Sequence, residues 1–430
     1  MLRHSLPARP EARRFLVGTL FSAVGRGLTL PFLLIYLTEV RDLTAGRAGL
    51  VVGWYGAVVL LLAPFGGTLI DRFGSRRIVV TFLLVEAAGT GSLAVVHSFG
   101  SALLAASVIA VGSSGVWAGQ ATLLSSLTGE GERQRVFGLE FTLLNLGIGI
   151  GGLIAGAVVD TTRPVTFQAI YLLDALTFLV PALIVLSMPA IGHPPPRAAV
   201  PGERSRAGGG YLTVLRDRPF RRLVLFALAI TTCGYAQLEV GFTAYSVQVA
   251  EVTPRVVAWA LASNAMIIVV CQLVVIRRLE GRSRSGALAA VGAVFAVSWL
   301  VLGLGGLVGR GNALLAAGCV VACASIFALG ETMLSPVLPA ITNTLATDEL
   351  RGRYNAMNSM STGISGVIGP VTAGPLIGAG NGAVWVLLVV GGCLVASTVA
   401  LSLRRLLTPA QDGRAGPVVA PPVTASTAGR

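Results

Sequence analysis

Long apolar runs separated by short polar segments organise this chain. Runs rich in Leu, Val, Ala, Ile, Phe and Gly cover positions 15–37, 48–70, 78–96, 102–127, 136–159, 165–188, 223–249, 256–276, 287–308, 313–345, 354–377 and 383–403. A helix rises about 1.5 Å per residue, so each run can cross a hydrocarbon layer of about 30 Å, upright or tilted. The pattern predicts an all-α membrane protein with twelve transmembrane helices. The first run is too long for the core of a secretory signal, and no small-residue cleavage site follows it. It reads as the first span.

Composition agrees with this reading. A hydrophobic fraction of 54% with 12% charged residues excludes an ordinary soluble domain. In a soluble protein the net charge of +13 would suggest a nucleic-acid partner. Here all 32 basic residues are arginine and they gather in alternate polar segments. Starting from the N-terminus, those alternate segments hold 26 arginines, and the intervening ones hold Arg41, Arg47, Arg163, Arg255 and Arg310. Arg26 lies inside the first span. The positive-inside rule then puts both termini in the cytoplasm, and no nucleic acid is expected. Cys233, Cys271, Cys319, Cys323 and Cys393 all lie in apolar runs and are expected to be reduced packing residues.

The longest polar segment, rich in Pro, Gly and Arg, divides the spans into two sets of six. The expected organisation is an N-terminal six-helix unit (1–188), a cytoplasmic linker (189–219), a C-terminal six-helix unit (220–407) and a disordered cytoplasmic tail (408–430). Within the end of the linker, 211–222 (YLTVLRDRPFRR) could form a short helix on the membrane surface. The two units repeat faintly. Gly25 and Tyr36 echo Gly234 and Tyr245 at a constant offset, and Arg133-Gln-Arg135 echoes Arg351-Gly-Arg353.

The most specific stretch is GTLIDRFGSRR, with Gly67, Asp71, Arg72, Gly74, Arg76 and Arg77 between the second and third spans. It resembles the signature of the major facilitator superfamily, G-x-x-x-D-R-x-G-R-R-R, except that Ser75 stands where an arginine is usual. The loop after the eighth span, RRLEGRSRS, resembles a degraded copy that keeps Gly281 and loses the aspartate. The resemblance implies two six-helix bundles related as parallel repeats, which rock around a site at mid-membrane. It also implies that the first, fourth, seventh and tenth spans line a central cavity. Asp71 is expected to meet nearby arginines and helix N-termini across the two halves.

Charges inside apolar spans cost about 2.5–3.5 kcal/mol each on insertion scales, so they require a partner or a wet cavity. Arg26, Glu86, Glu239 and Glu331 are the clearest, and they are the candidates for proton coupling. Asp174 and Glu140 lie nearer span ends and are expected to reach water. Arg26 needs a counter-charge, and Glu86 and Glu239 are the candidates. Ser113, Trp117 and Gln120 form a polar and aromatic stripe on span four. Tyr235 and Glu239 share a face of span seven, with Phe242 nearby, as Glu331 and Ser335 do on span ten. These stripes would converge on the implied cavity. Glu331 has no basic residue within a turn on either side and is the first candidate for the proton carrier.

Span five carries Gly147, Gly151 and Gly152, resembling the superfamily's antiporter motif with Ile148 in place of its proline. Span eleven has Gly369-Pro370. Both are expected to serve close helix packing where the halves meet. The run from Gly330 to Tyr354 resembles bacterial twelve-span drug exporters. No Walker A sequence, nucleophile triad or metal-ligand cluster occurs, so neither ATP, an enzymatic reaction nor a cofactor is expected. The expectation is a monomeric, proton-coupled exporter of an amphipathic organic molecule in the inner membrane. Two alternatives stay open: a proton symporter importing a small nutrient, and a membrane sensor or lipid-handling protein with the same fold.

Overall fold

The computed structural model describes residues 6–29, 32–129, 131–160, 162–193, 210–239, 241–309 and 311–414, without the side chains at 45, 46, 239, 254 and 370. Among the described residues there are helices and no strands. The first set comprises α1 (Pro10–Thr29), α2 (Leu33–Ile35, continued by a π-helical turn Tyr36–Val40), α3 (Ala45–Phe73), α4 (Ser75–Ser92), α5 (Phe99–Ser126), α6 (Arg133–Val158) and α7 (Pro164–Leu186). The linker contributes α8 (Tyr211–Arg216). The second set follows as α9 (Arg218–Ile230), α10 (Ala236–Glu239), α11 (Gly241–Gln248), α12 (Pro254–Leu279), α13 (Arg284–Val308), α14 (Ala313–Leu345), α15 (Arg351–Gly378) and α16 (Gly382–Leu403).

Among the described residues, ten helices are long and apolar enough to cross a membrane singly. The first and seventh spans are each a bent pair, broken by 40° between Thr29 and Leu33 and by 45° between Leu238 and Gly241. Counting each pair once gives twelve. The two runs that look uninterrupted in sequence are therefore broken helices. The breaks fall at matching places of the two halves, by the offset that relates Gly25 to Gly234 and Tyr36 to Tyr245.

Local chemistry starts several of these helices. Ser98 and Ser101 form a reciprocal capping box at α5, and Asn312 caps α14 by accepting from the Leu315 N–H at 3.0 Å. Gly74, at φ +86°, is the whole connection between α3 and α4, a conformation that disfavours a side chain. Within the first half, α1 packs on α6 and α7, α3 on α5, and α4 on α5 and α7. Within the second, α13 packs on α14 and α16, α12 on α14, and α9 on α16. The halves meet through α3 and α5 against α15, and through α6 against α12 and α14. Large apolar side chains such as Leu153, Leu307 and Leu314 stay on the outside, as lipid contact requires.

Candidate functional site

In the first half a buried charge cluster joins four helices. Arg26 on α1 lies with Nη2 3.7 Å from Oε1 of Glu86 on α4, and Ser113 on α5 donates its hydroxyl to the same oxygen at 2.8 Å. Tyr55 on α3 donates to Ser113 at 3.2 Å. The Arg26 guanidinium also lies 4.5 Å from the Trp117 ring centroid and 5.8 Å from that of Phe178. The Arg26 counter-charge is thus Glu86. Asp174, expected at water, is buried instead: Thr29 donates to it at 2.6 Å, because α1 covers this face of α7. Glu140 is half-buried on α6.

The second half holds its acid differently. Glu331 on α14 is 5% exposed and accepts from Asn264 Nδ2 of α12 at 2.6 Å. The Tyr235 hydroxyl lies beside the same carboxylate, and its ring stands edge-on to Phe295 and Phe327, which stack on each other at 3.8 Å. Among the described residues no cation pairs with Glu331. Ser335, one turn further on, has a buried hydroxyl without a hydrogen-bond partner among the described residues. Glu239 ends α10, and its side chain lies outside the described residues.

The remaining stripe residues divide. Trp117 is 46% exposed, whereas Gln120 is buried with its Nε2 unpartnered. Phe242, expected on a cavity wall, is 0% exposed inside the apolar cluster that also holds Trp299 and Trp385. It packs the second half and lines nothing in this state.

The signature stretch sits where the halves touch. Asp71 Oδ1 accepts the Gly352 N–H at 2.6 Å, Oδ2 accepts the Arg353 N–H at 3.3 Å, and Arg353 Nη1 lies 3.4 Å from Oδ2. A carboxylate from α3 thereby occupies the N-terminus of α15, where unpaired amides and the helix dipole favour an anion. None of the stretch's own arginines pairs with Asp71 among the described residues. Arg76 donates to the carbonyls of Val185 (3.3 Å) and Leu186 (2.9 Å) at the end of α7, and Arg72 and Arg77 are exposed. Ser75 is buried beside Gly192, a place that would not take the usual arginine. Gly67 is a point of close approach: a Cβ there would sit 2.6 Å from Ala356 Cβ and 2.7 Å from the Tyr211 hydroxyl. Tyr211 donates to the Pro64 carbonyl, so α8 docks on α3 and does not simply lie on the membrane. Asp217 joins this corner by accepting from the Tyr354 hydroxyl at 2.8 Å.

The glycine stripes have a different place from the one expected. A Cβ on Gly147 would lie 2.6 Å from Ala23 Cβ, and Gly151 abuts Gly27 and Leu28, so these positions seat α6 on α1 within one half. Gly152 faces little, its nearest neighbour being the Gly27 carbonyl at 3.8 Å. Gly369 abuts Ala236, seating α15 on α10 within the other half; the Pro370 ring lies outside the described residues. Small residues let these spans approach inside each bundle. The chain beyond 408 also differs from expectation, since residues 408–414 fold back on the start of α13, with Asp412 accepting from Ser283 and Ser285. Positions 415–430 and 194–209 lie outside the described residues. Asn264 and Tyr55 were not singled out by sequence. Their one signal was a lone polar group in an apolar run.

Comparison with known proteins places this arrangement. Residues 15–327 match the model of the Major Facilitator Superfamily. The chain is 24% identical over 386 residues to the MFS-type transporter YqjV of Bacillus subtilis (strain 168), covering 86% of this chain and 88% of that one. It is 23% identical over 356 residues to the quinolone resistance protein NorA of Staphylococcus aureus (strain MSSA476), covering 82% and 86%. Among solved structures it is similar to a bacterial homologue of the iron transporter ferroportin in its outward-facing state, with TM-score 0.75, 14% identity, and 92% and 100% coverage. FucP in the outward conformation gives 0.71, 17%, 91% and 98%. The solved structures speak for the fold, and the family match extends over most of the chain: this protein belongs to the Major Facilitator Superfamily of membrane transporters.

Proposed function

We propose that this transporter exports an amphipathic organic molecule in exchange for protons, with Glu331 as the proton carrier. The observation that carries the reading is the setting of Glu331: a carboxylate buried in a span, held by an amide and a phenol, with no cation beside it among the described residues. Neutral partners tolerate both protonation states, because a phenol can donate or accept and an amide offers both functions. A fixed ion pair would not.

The halves touch at the Asp71 end. The arginine distribution favours a cytoplasmic position for that end and for both termini, which makes this the state open to the outside. In that state Glu331 would take its proton, and the return stroke would release it inside while the substrate leaves. Trp117, half exposed with Arg26 over its ring, and Tyr235 suit a flat, partly apolar substrate. The name of the relative NorA, a quinolone resistance protein, supports export of such a compound. The inner membrane and a monomeric state complete the reading.

The test is Glu331→Gln in proteoliposomes, which keeps the shape and removes the titration. The variant is expected to exchange substrate down its gradient and to lose accumulation driven by a pH gradient. Uphill, pH-driven transport at the rate of the unmodified protein would overturn the assignment.

A further inference from the structure

The signature aspartate occurs in one of the two repeats. The loop after α12 keeps the turn glycine, Gly281 at φ +71°, as Gly74 does at φ +86°, and offers no aspartate of its own. A carboxylate nevertheless reaches this loop from elsewhere in the chain. Asp412, 0% exposed, accepts the Ser283 hydroxyl at 2.8 Å on Oδ2 and the Ser285 N–H at 2.8 Å on Oδ1. Its backbone carbonyl accepts the Arg284 N–H at 2.8 Å, and Arg414 closes the knot 2.7 Å from Oδ2.

Arg284, gripped in this way, reaches the other half. Its Nε donates to Gln134 Oε1 on α6 at 3.4 Å, and its Nη1 donates to Thr344 Oγ1 at 3.3 Å and to the Gln411 carbonyl at 3.1 Å. Gln134 lies between the two arginines of Arg133-Gln-Arg135, the stretch that echoes Arg351-Gly-Arg353. Both corners thus work at equivalent helix starts. At one, Asp71 binds the start of α15 directly. At the other, the arm that crosses is an arginine, held at its N–H by the Asp412 carbonyl and at its guanidinium by the Gln411 carbonyl, so the folded-back tail fixes the rotamer that meets the Gln134 amide.

We propose that Asp412 is a positioning residue for alternating access: the tail segment 408–414 replaces the aspartate missing from the second repeat and aims Arg284 at Gln134, making a second latch that holds the halves together beside the Asp71 latch. The proposal rests on the alternating-access reading above. It gives the tail a part in setting the balance between the two states, since anything that pulls 408–414 off α13 would release the latch.

The experiment reads the separation of the halves directly. Spin labels introduced as non-canonical amino acids at positions 126 and 349, both exposed at the latch end, leave the five cysteines in place. Pulsed EPR distances in nanodiscs are then compared for the full chain, Asp412→Asn, Gln134→Ala, the double variant and Asp71→Asn. The latch predicts that Asp412→Asn and Gln134→Ala each raise the population of the longer distance at least about fivefold, the lower end of typical coupling between sites. It also predicts that the double variant gains no more than the larger single change, because both break one connection. Additive shifts, or a shift with Asp412→Asn and none with Gln134→Ala, would overturn it, since the tail would then act on its own half alone. If Asp412→Asn fails to fold, Gln134→Ala decides by itself, and unchanged distances sink the latch. Asp71→Asn separates the two readings. A shift there without one at Gln134 or Asp412 removes the second latch, whereas no shift in any variant removes alternating access and the latch with it.

Discussion

Glu86 in the first half and Glu331 in the second are almost equally withdrawn from solvent, 4% and 5% exposed, yet their neighbours differ in charge. Glu86 faces a guanidinium and the Ser113 hydroxyl, the latter held in turn by Tyr55. Glu331 faces Asn264 and Tyr235. A buried ion pair is self-consistent in one protonation state: removing either charge leaves the other desolvated and alone. A carboxylate among neutral dipoles has no such fixed requirement. On the proposed reading, the first cluster braces α1, α4 and α5, and the second is left free to change charge during a transport cycle.

The largest effect expected from this contrast is on folding. Arg26→Ala strands Glu86 and should destabilise the protein by about 3–5 kcal/mol, the usual cost of breaking a buried pair. The combined Arg26→Met and Glu86→Met variant should recover most of that loss, since two uncharged side chains need no compensation. Glu331→Gln, by comparison, should melt near the unmodified protein. Thermal unfolding in detergent reads all three, and an Arg26→Ala protein as stable as its parent would dissolve the contrast.

A smaller effect is expected where a buried charge has its partner in the opposite half. Asp71 makes two charge-assisted hydrogen bonds to α15 and an ion pair with Arg353. Asp71→Asn keeps the shape and weakens contacts worth about 1.5–3 kcal/mol each when charged. Because those contacts exist in one arrangement of the halves, the loss should appear in turnover, on the order of tenfold or more, with little change in melting temperature. An unaltered turnover number in normally expressed Asp71→Asn would show that the α3–α15 contact does not set the cycle.

These placements also mark what a sequence can convey. The spans were legible because twelve apolar runs are long and their flanking arginines alternate. The bends were not read, because the first and seventh runs are each long enough to cross as one helix, although Pro31 lies at the first break and Gly241 at the second. The Arg26 counter-charge was narrowed to two acids by depth along the helices, and the choice of Glu86 depended on how α1 and α4 are placed in three dimensions, which the linear order of residues does not give. Phe242 was misread because an aromatic on a cavity span can face either way, and helical spacing alone does not say which. Asp412 was hidden for another reason: a lone aspartate in a Gly- and Pro-rich tail carries no periodicity, and its partners Ser283 and Ser285 are distant in the chain.

The smallest effect expected concerns Tyr211, which sharpens the contrast by supplying a contact between segments that carries no charge. Its hydroxyl donates to the Pro64 carbonyl at the corner where Gly67 and Gly352 bring α3 against α15. Burial pushes this phenol up to about 12, with the Asp71 carboxylate adding in the same direction against the opposing pull of Thr68 and Arg353. A group raised above its ordinary value of about 10 contributes its stabilisation fully below that value and loses it as pH climbs toward the folded one. The contact should therefore be constant from pH 5 to about 9 and fade only in strong alkali. Tyr211→Phe removes a single neutral hydrogen bond and should shift the balance of states by about 0.5–1.5 kcal/mol, a few-fold change in turnover at any physiological pH. A pH-dependent difference between Tyr211→Phe and the unmodified protein below pH 9 would mean that a charged group acts through this corner, where Asp71 is the carboxylate at hand.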